Sequence, residues 1–335
     1  MKKKQSMSDC LIIGGGVIGM MNARELALAG AQVTLIDQQA CAQESSWAGG
    51  GIISPLYPWK YDDLTNDLSL ASQAVYEQLC AQILEDTGLD PQYLKSGLLM
   101  IDEYDSDEAK EWMTRYDLAY RSHPHGALFD NIAQVRNPRL LKALKADIIQ
   151  KGVKIIEQVK IEKLLTQHYK ALGVASNNQT YLADCVVACS GAWSSQWLSL
   201  KEEVFPMKGQ MIVLRSKPEV VEHIVLDQGL YIIPRQDGRI LVGSTMQNVG
   251  FDRSTDDKTR HDLHKFALQK FSALSNAKVE HHWAGFRPAS KSSKVMLGKH
   301  AQFDNVFLNT GHFRNGLNTA PESAKRVTQL ITHDV

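Results

Sequence analysis

The first apolar run, Asp9-Cys10-Leu11-Ile12-Ile13, stops abruptly at glycine, which predicts a buried parallel strand. Residues 17–29 are rich in Ala, Leu and Met and are closed by Gly30, which predicts a helix. The stretch from Ala31 to Ile36 predicts a second strand, so the segment reads as a strand–helix–strand unit. Helical periodicity returns at roughly 66–86, 106–120 and 138–150, with Pro138 in the first turn of the last and Gly152 at its end. Beyond Gly152 the texture changes to short strands, at about 153–156, 158–165, 171–175 and 179–182. Apolar runs at 185–189, 211–215, 230–234 and 239–243 continue it, and Arg235-Gln236-Asp237-Gly238 marks a hairpin turn between the last two. A helix is predicted over 257–274, a strand over 305–309, and a final helix from near Leu317.

Between the first strand and helix stands Gly14-Gly15-Gly16-Val17-Ile18-Gly19, which satisfies G-x-G-x-x-G. The first glycine permits a tight turn, the second lets backbone approach a pyrophosphate, and the third lets helix pack on strand. The helix N-terminus offers free N–H groups and positive dipole charge to phosphates. Asp37, followed by Gln38, ends the second strand where a carboxylate reaches ribose hydroxyls. Glycines alone would also suit a ligand-free turn. With strand, helix and acid in place, they predict a bound dinucleotide.

The motif does not separate NAD from FAD. Three further segments bear on the choice. Ser45-Ser46-Trp47-Ala48-Gly49-Gly50-Gly51 is a second small-residue stretch, which admits a bulky planar group or a second phosphate. Trp47 and Ile52-Ile53 beside it are poor residues for a surface loop. A strand runs into a glycine turn at Gly191, either near the nucleotide or as a plain strand end. Gly311-His312-Phe313-Arg314-Asn315-Gly316-Leu317 joins a strand to the last helix, whose N-terminus would face an anion or an electron-rich ring. A routine strand-to-helix connection is the alternative there.

The N-terminal unit needs more parallel strands, and the good candidates lie far downstream, at 185–189 and 305–309. The expected fold is therefore α/β. A discontinuous Rossmann-like FAD-binding domain (1–60, 138–200 and 288–335) carries an inserted α+β substrate domain (61–137 and 201–287) on a mainly antiparallel sheet.

A length of 335 residues accommodates two domains. Zero formal net charge disfavours a nucleic-acid surface. The Lys2-Lys3-Lys4 run reads as a solvated tail, no signal-peptide pattern follows it, and no apolar stretch is long enough to span a bilayer. Five cysteines without C-x-x-C spacing suit reduced, buried thiols and a cytoplasmic location. Cys185 and Cys189 would share one strand face. His261 and His264 share a helix face but lack a third ligand, so no metal site is expected. His281-His282 and His123-Pro124-His125 read as structural or exposed. Neither G-x-S-x-G nor a P-loop lysine is present.

Several distant segments complete a pattern: Pro206-Met207-Lys208-Gly209-Gln210, Tyr231-Ile232-Ile233-Pro234-Arg235, Val242-Gly243-Ser244-Thr245-Met246, Trp283-Ala284-Gly285-Phe286-Arg287-Pro288 and Gly311 to Gly316. In that order and spacing, over nearly the whole chain, the sequence resembles the FAD-dependent D-amino-acid oxidase superfamily, and within it the glycine oxidases of thiamine biosynthesis. The resemblance implies oxidation of an amine by hydride transfer to flavin N5, with oxygen as acceptor and hydrogen peroxide as product. No side-chain base is required if the amine arrives neutral, so no catalytic residue is assigned. Arg287 matches the position that holds the substrate carboxylate, and Tyr231 one whose hydroxyl assists. Arg314 matches a second arginine near substrate and flavin, and Met246 a residue lining a small pocket. For FAD the resemblance points to Gly14, Gly16, Gly19, Asp37, Ser45, Ser46, Gly49 and Gly50, to Val159 at the adenine, and to the 311–317 turn. Gly229 departs from larger residues in some relatives, which bears on pocket size. No cysteine lies within 290–298, where a neighbouring family attaches flavin covalently, so non-covalent FAD is expected. The expected partners are a small amino acid or amine and molecular oxygen; the oligomeric state stays open, and a homo-oligomer is compatible with it. A dehydrogenase passing electrons to a quinone or partner protein, and a flavin-bound module without turnover, are the competing readings.

Overall fold

The structure, a computed structural model, describes residues 8–333, so the Lys2–Lys4 run lies outside it. The strand Ser8–Ile13 runs parallel between Val33–Ile36 and Thr180–Ala188, with Ile13 opposite Ile36 on one side and Ala188 on the other. Val306–Thr310 and Lys154–Ile156 extend this parallel sheet outward, and Met296–Lys299 adds an antiparallel edge.

Side chains alternate across the first strand, as its pleat requires. Cys10 and Ile12 join one core with Leu35 of the neighbouring strand and with Met20, Leu144 and Val327, contributed by helices Val17–Leu28, Asn137–Gln150 and Gly316–His333. Leu11 and Ile13 join another with Ile36, Val174 and Trp197. Both faces are covered, which explains the continuous apolar run. The distant strands expected to complete this sheet do so.

Several elements differ from expectation. The runs at 179–182 and 185–189 form one strand, Thr180–Ala188, because Asp184 between them projects outward in the alternating pattern. Its first part pairs antiparallel with Lys170–Ala175 and its second part parallel with Ser8–Ile13. The strand expected over 158–165 starts only at Lys163; before it, Gln158 has φ of 62° and Val159 N–H donates to Asp37 O at 2.9 Å. The helix near 106–120 is confined to Asp107–Arg115, and the one over 257–274 ends at Lys270 before a short turn of 3-10 helix.

The second sheet runs Lys278–Ala289, Phe205–Arg215, Arg239–Gly243, Leu230–Pro234, Ile224–Asp227, Leu98–Met100, Gly126–Phe129, Arg121–His123. All its pairings are antiparallel except Ile224–Asp227 with Leu98–Met100. One element in the segment expected with this sheet belongs elsewhere. Helix Asp63–Thr87 buries Tyr76, Cys80 and Ile83 in the core of the parallel sheet. Its Tyr76 hydroxyl donates to Leu317 O at 2.6 Å, and its Ser72 hydroxyl accepts from Glu322 N–H at 3.1 Å. The five cysteines are free and buried. Among the described residues no helix is long and apolar enough to cross a membrane.

Candidate functional site: a cavity from the glycine turn to Arg287

One cavity of about 1650 Å³ of empty space, open mouth included, runs between the two sheets. Gly14, Gly16 and Asp37 line one end and Tyr231 and Arg287 the other. At the first end only glycine fits the turn. Gly14 has φ of 114°, and a Cβ there would lie 2.4 Å from Cys189 O. A Cβ on Gly19 would lie 1.8 Å from Gly14 O, so Gly19 permits the close helix–strand approach without lining the cavity. Val17 N–H, in the first helical turn, donates to Ser46 Oγ at 2.9 Å, which ties the second small-residue segment to the helix start.

Asp37 accepts from Gly15 N–H at 2.6 Å and Gln39 N–H at 2.7 Å. Burial pushes its pKa above the ordinary carboxylate value, opposed by those two amides. Each carboxylate oxygen keeps acceptor capacity for a hydroxyl in the cavity. Gly15 itself stands behind this carboxylate, outside the cavity wall. Val17, Ile18, Gln38, Ser45, Gly49, Gly50, Gly51, Val159 and Gly191 line the cavity, as do His312 to Leu317. Gly311 does not; with φ of 74° it turns the chain behind the wall. His312 is 3 % exposed and its ring nitrogens lie 2.8 Å from Thr319 Oγ1 and 2.8 Å from Asn309 Oδ1. Burial pushes its pKa down to about 3, so the ring is neutral.

At the far end, Arg287 donates to Ser244 Oγ at 2.5 Å and to Thr245 O at 3.1 Å. No carboxylate among the described residues pairs with it. Burial lowers its pKa, although Tyr231 close by acts in the opposite sense. The Tyr231 hydroxyl donates to Ser244 Oγ at 2.9 Å. Arg314 lines the same cavity and donates to Gly229 O at 3.2 Å. Two guanidiniums and a phenol therefore converge, with donors left over for an anion.

Two expectations shift here. Met246 does not line the cavity; it is 59 % exposed, because the chain leaves the sheet after Gly243 and only the Thr245 carbonyl turns back to Arg287. Gly229 does not line it either, and acts by anchoring Arg314 through its carbonyl. Sequence reasoning also missed two participants. Ser244 joins Tyr231 to Arg287. Asn137 lines the cavity, is 2 % exposed, and donates to Ser46 O at 2.6 Å while its Oδ1 has no partner among the described residues. Its position before Pro138 at a helix start was the only available signal, and it spoke for the helix rather than the site.

A parallel nucleotide-type sheet, a glycine turn under a helix start and a cavity reaching an anion-directed end define a dinucleotide-binding protein with a second small-ligand site. Residues 9–330 match the model of the DAO family, described as FAD dependent oxidoreductase, and the chain belongs to that family. It is 38 % identical to a glycine oxidase of Pseudomonas aeruginosa, over 96 % of this chain and 94 % of that one. It is 30 % identical to the bifunctional protein ThiO/ThiG of Synechocystis, covering 98 % of this chain and 52 % of that longer protein. The solved glycine oxidase of Bacillus cereus superposes with a TM-score of 0.89 at 27 % identity, over 98 % of this chain and 96 % of that one. FAD is the cofactor of the family, and the residues present fit it. The turn offers helix amides for phosphates, Asp37 offers acceptors for a ribose, and the long cavity continues past the glycine-lined wall at 49–51.

Proposed function

We propose that this chain oxidises glycine or another small amino acid or amine, with oxygen as electron acceptor and hydrogen peroxide as product, and that it serves thiazole formation in thiamine biosynthesis. The observation that carries the reading is Arg287: a guanidinium without a carboxylate partner at the end of an FAD-type cavity, beside the Tyr231 hydroxyl. Burying such a charge is costly until an anion arrives. An α-carboxylate is the natural occupant, since it accepts from the guanidinium fork with matched geometry. The names of the relatives, glycine oxidase and ThiO/ThiG, favour the same substrate and pathway.

FAD, when bound, supplies the hydride acceptor. The chain's own residues bind and orient. Arg287 and Tyr231 fix the carboxylate, and with it the α-carbon. Leu56, Ile52 and Met211 line the cavity and exclude water. Among the described residues, no cavity-lining imidazole or carboxylate is placed to act as a base at the Arg287 end: both His312 nitrogens are engaged, Asp37 lies at the opposite end, and Glu44 pairs with Arg253. The amine must therefore arrive neutral. The test is anaerobic reduction of the bound flavin by glycine, sarcosine and D-alanine, followed by peroxide measurement under air. Failure of all three amines to bleach the flavin sinks the proposal; bleaching without peroxide would move the acceptor to a quinone or a partner protein.

A further inference from the structure

Arg235 is 7 % exposed and lies behind the cavity wall. It donates from Nη1 to Gln134 Oε1 at 2.5 Å and Val135 O at 2.9 Å, and from Nη2 to Gly50 O at 2.8 Å. Val135 N–H in turn donates to Gly51 O at 2.9 Å. All three acceptors of Arg235 are neutral. The nearby carboxylate, Asp237, is already taken by Arg136 at 2.8 Å and Arg239 at 2.7 Å. The Nε of Arg235 has no partner among the described residues. Burial pushes its pKa down to about 9, so at neutral pH it remains a cation.

A buried cation served only by neutral acceptors destabilises a fold, and a carboxylate or a well-packed apolar side chain would relieve the cost. Such a group is commonly retained for a task at a site. Its position identifies the task. Gly50 lines the cavity, and a Cβ on it would lie 3.1 Å from Tyr231 Cε2, so this wall is next to the anion-directed end. Electrons delivered to a cofactor there add negative charge close to a fixed positive charge in a weakly screened interior.

We propose that Arg235 is a positioning residue for the flavin: it fixes the Gly49–Gly51 wall through Gly50 O, and its unneutralised charge favours the reduced cofactor. The inference rests on FAD binding and is independent of which amine is oxidised.

The test uses full-length protein carrying FAD and two variants. Gln134→Glu is nearly isosteric, its side chain lines no part of the cavity, and it keeps the acceptor for Arg235 while supplying the missing counter-ion. Its reductive titration with dithionite against a reference dye should show the reduced-to-oxidised ratio at a fixed potential falling about threefold or more, with FAD affinity near wild type. Arg235→Lys keeps the charge but cannot span three acceptors. It should retain the wild-type potential while the FAD dissociation constant rises about fivefold or more. An unchanged potential in Gln134→Glu overturns the electrostatic half, and unchanged FAD affinity in a folded Arg235→Lys overturns the positioning half. Loss of melting temperature in both variants with potential and affinity unmoved would assign Arg235 to folding alone. No amine substrate enters these measurements, so failure of the amine-oxidase reading leaves their outcome untouched.

Discussion

Replacing Arg287 by methionine isolates the role assigned to the far end of the cavity. The guanidinium has five N–H donors, and the structure uses two, on Ser244 Oγ and Thr245 O. The remainder allow a bidentate grip on a carboxylate. Hydrogen bonds to charged groups contribute about 1.5–3 kcal/mol each, so losing two removes about 3–6 kcal/mol. At about 1.4 kcal/mol per tenfold, kcat/KM for glycine should fall by about 10² to 10⁴, mostly through KM. Stability should move little. The variant loses two donors but also removes a half-buried charge that desolvation already disfavours. FAD content should be unchanged, because the glycine turn and Asp37 line the opposite end of the cavity. The assay pairs steady-state kinetics with flavin absorbance after heat release. A variant that purifies without flavin, or one that keeps the wild-type KM, refutes the assignment.

Other expectations follow from the same geometry. Tyr231→Phe removes one hydroxyl near the carboxylate and should cost about 1–2 kcal/mol in kcat/KM with flavin retained; kinetics with glycine at saturating oxygen check it, and an unchanged value would place that hydroxyl on Ser244 alone. Gly19→Ala puts a methyl 1.8 Å from Gly14 O, so the protein should purify without FAD or fail to fold, read by the absorbance ratio and by circular dichroism. His312 contributes to acid lability. Its native pKa of about 3 lies below the ordinary 6.5, so the unfolded chain binds an extra proton between these values. The stability is therefore fully present above about 6.5 and lost as pH falls toward 3, by at most about 5 kcal/mol. Urea unfolding from pH 7 to 4 should show a shallower loss for His312→Gln than for wild type, and equal slopes would mean the ring is not buried neutral.

How much of this was legible depended on where the information lay. The strand–helix–strand unit was readable because each piece is locally decided: an apolar run, a helix former series, glycines and one acid. The long strand Lys278–Ala289, which carries Arg287, was not predicted as a strand. Its sequence mixes His, Glu, Trp, Gly and Pro, and buried, half-buried and exposed residues follow no alternating order along it, so neither alternation nor a continuous apolar run appears. The strands Leu98–Met100, Arg121–His123 and Gly126–Phe129 are too short for periodicity to register. The helical pattern near 66–86, expected within the substrate domain, forms helix Asp63–Thr87 against the parallel sheet instead, because periodicity shows that a face is buried and not what buries it. Ser244 and Asn137 carried no signal of their own; each is a small polar residue whose meaning comes from what a distant segment places beside it.

The motifs around Arg287 illustrate the difference between recognising a residue and explaining it. Phe205–Arg215 and Lys278–Ala289 pair antiparallel, which sets Gly209 opposite Gly285 and Met207 opposite Arg287. A Cβ on Gly209 would lie 2.3 Å from Arg287 Nη2, so the glycine of the Met207-Lys208-Gly209-Gln210 segment leaves the space the guanidinium occupies. A Cβ on Gly285 would lie 2.4 Å from Ala48 Cβ, so this second glycine lets the substrate-side strand approach the short helix Ser45–Ala48 at the cofactor wall. Two segments that look unrelated in the chain are thus one device: one glycine lets the strand close on the short helix Ser45–Ala48, and the other leaves room for the arginine on the paired strand. Enlarging either glycine would move Arg287 relative to the cofactor wall without touching a ligand. That is why spacing among distant motifs, rather than the identity of any one arginine, carried the functional signal.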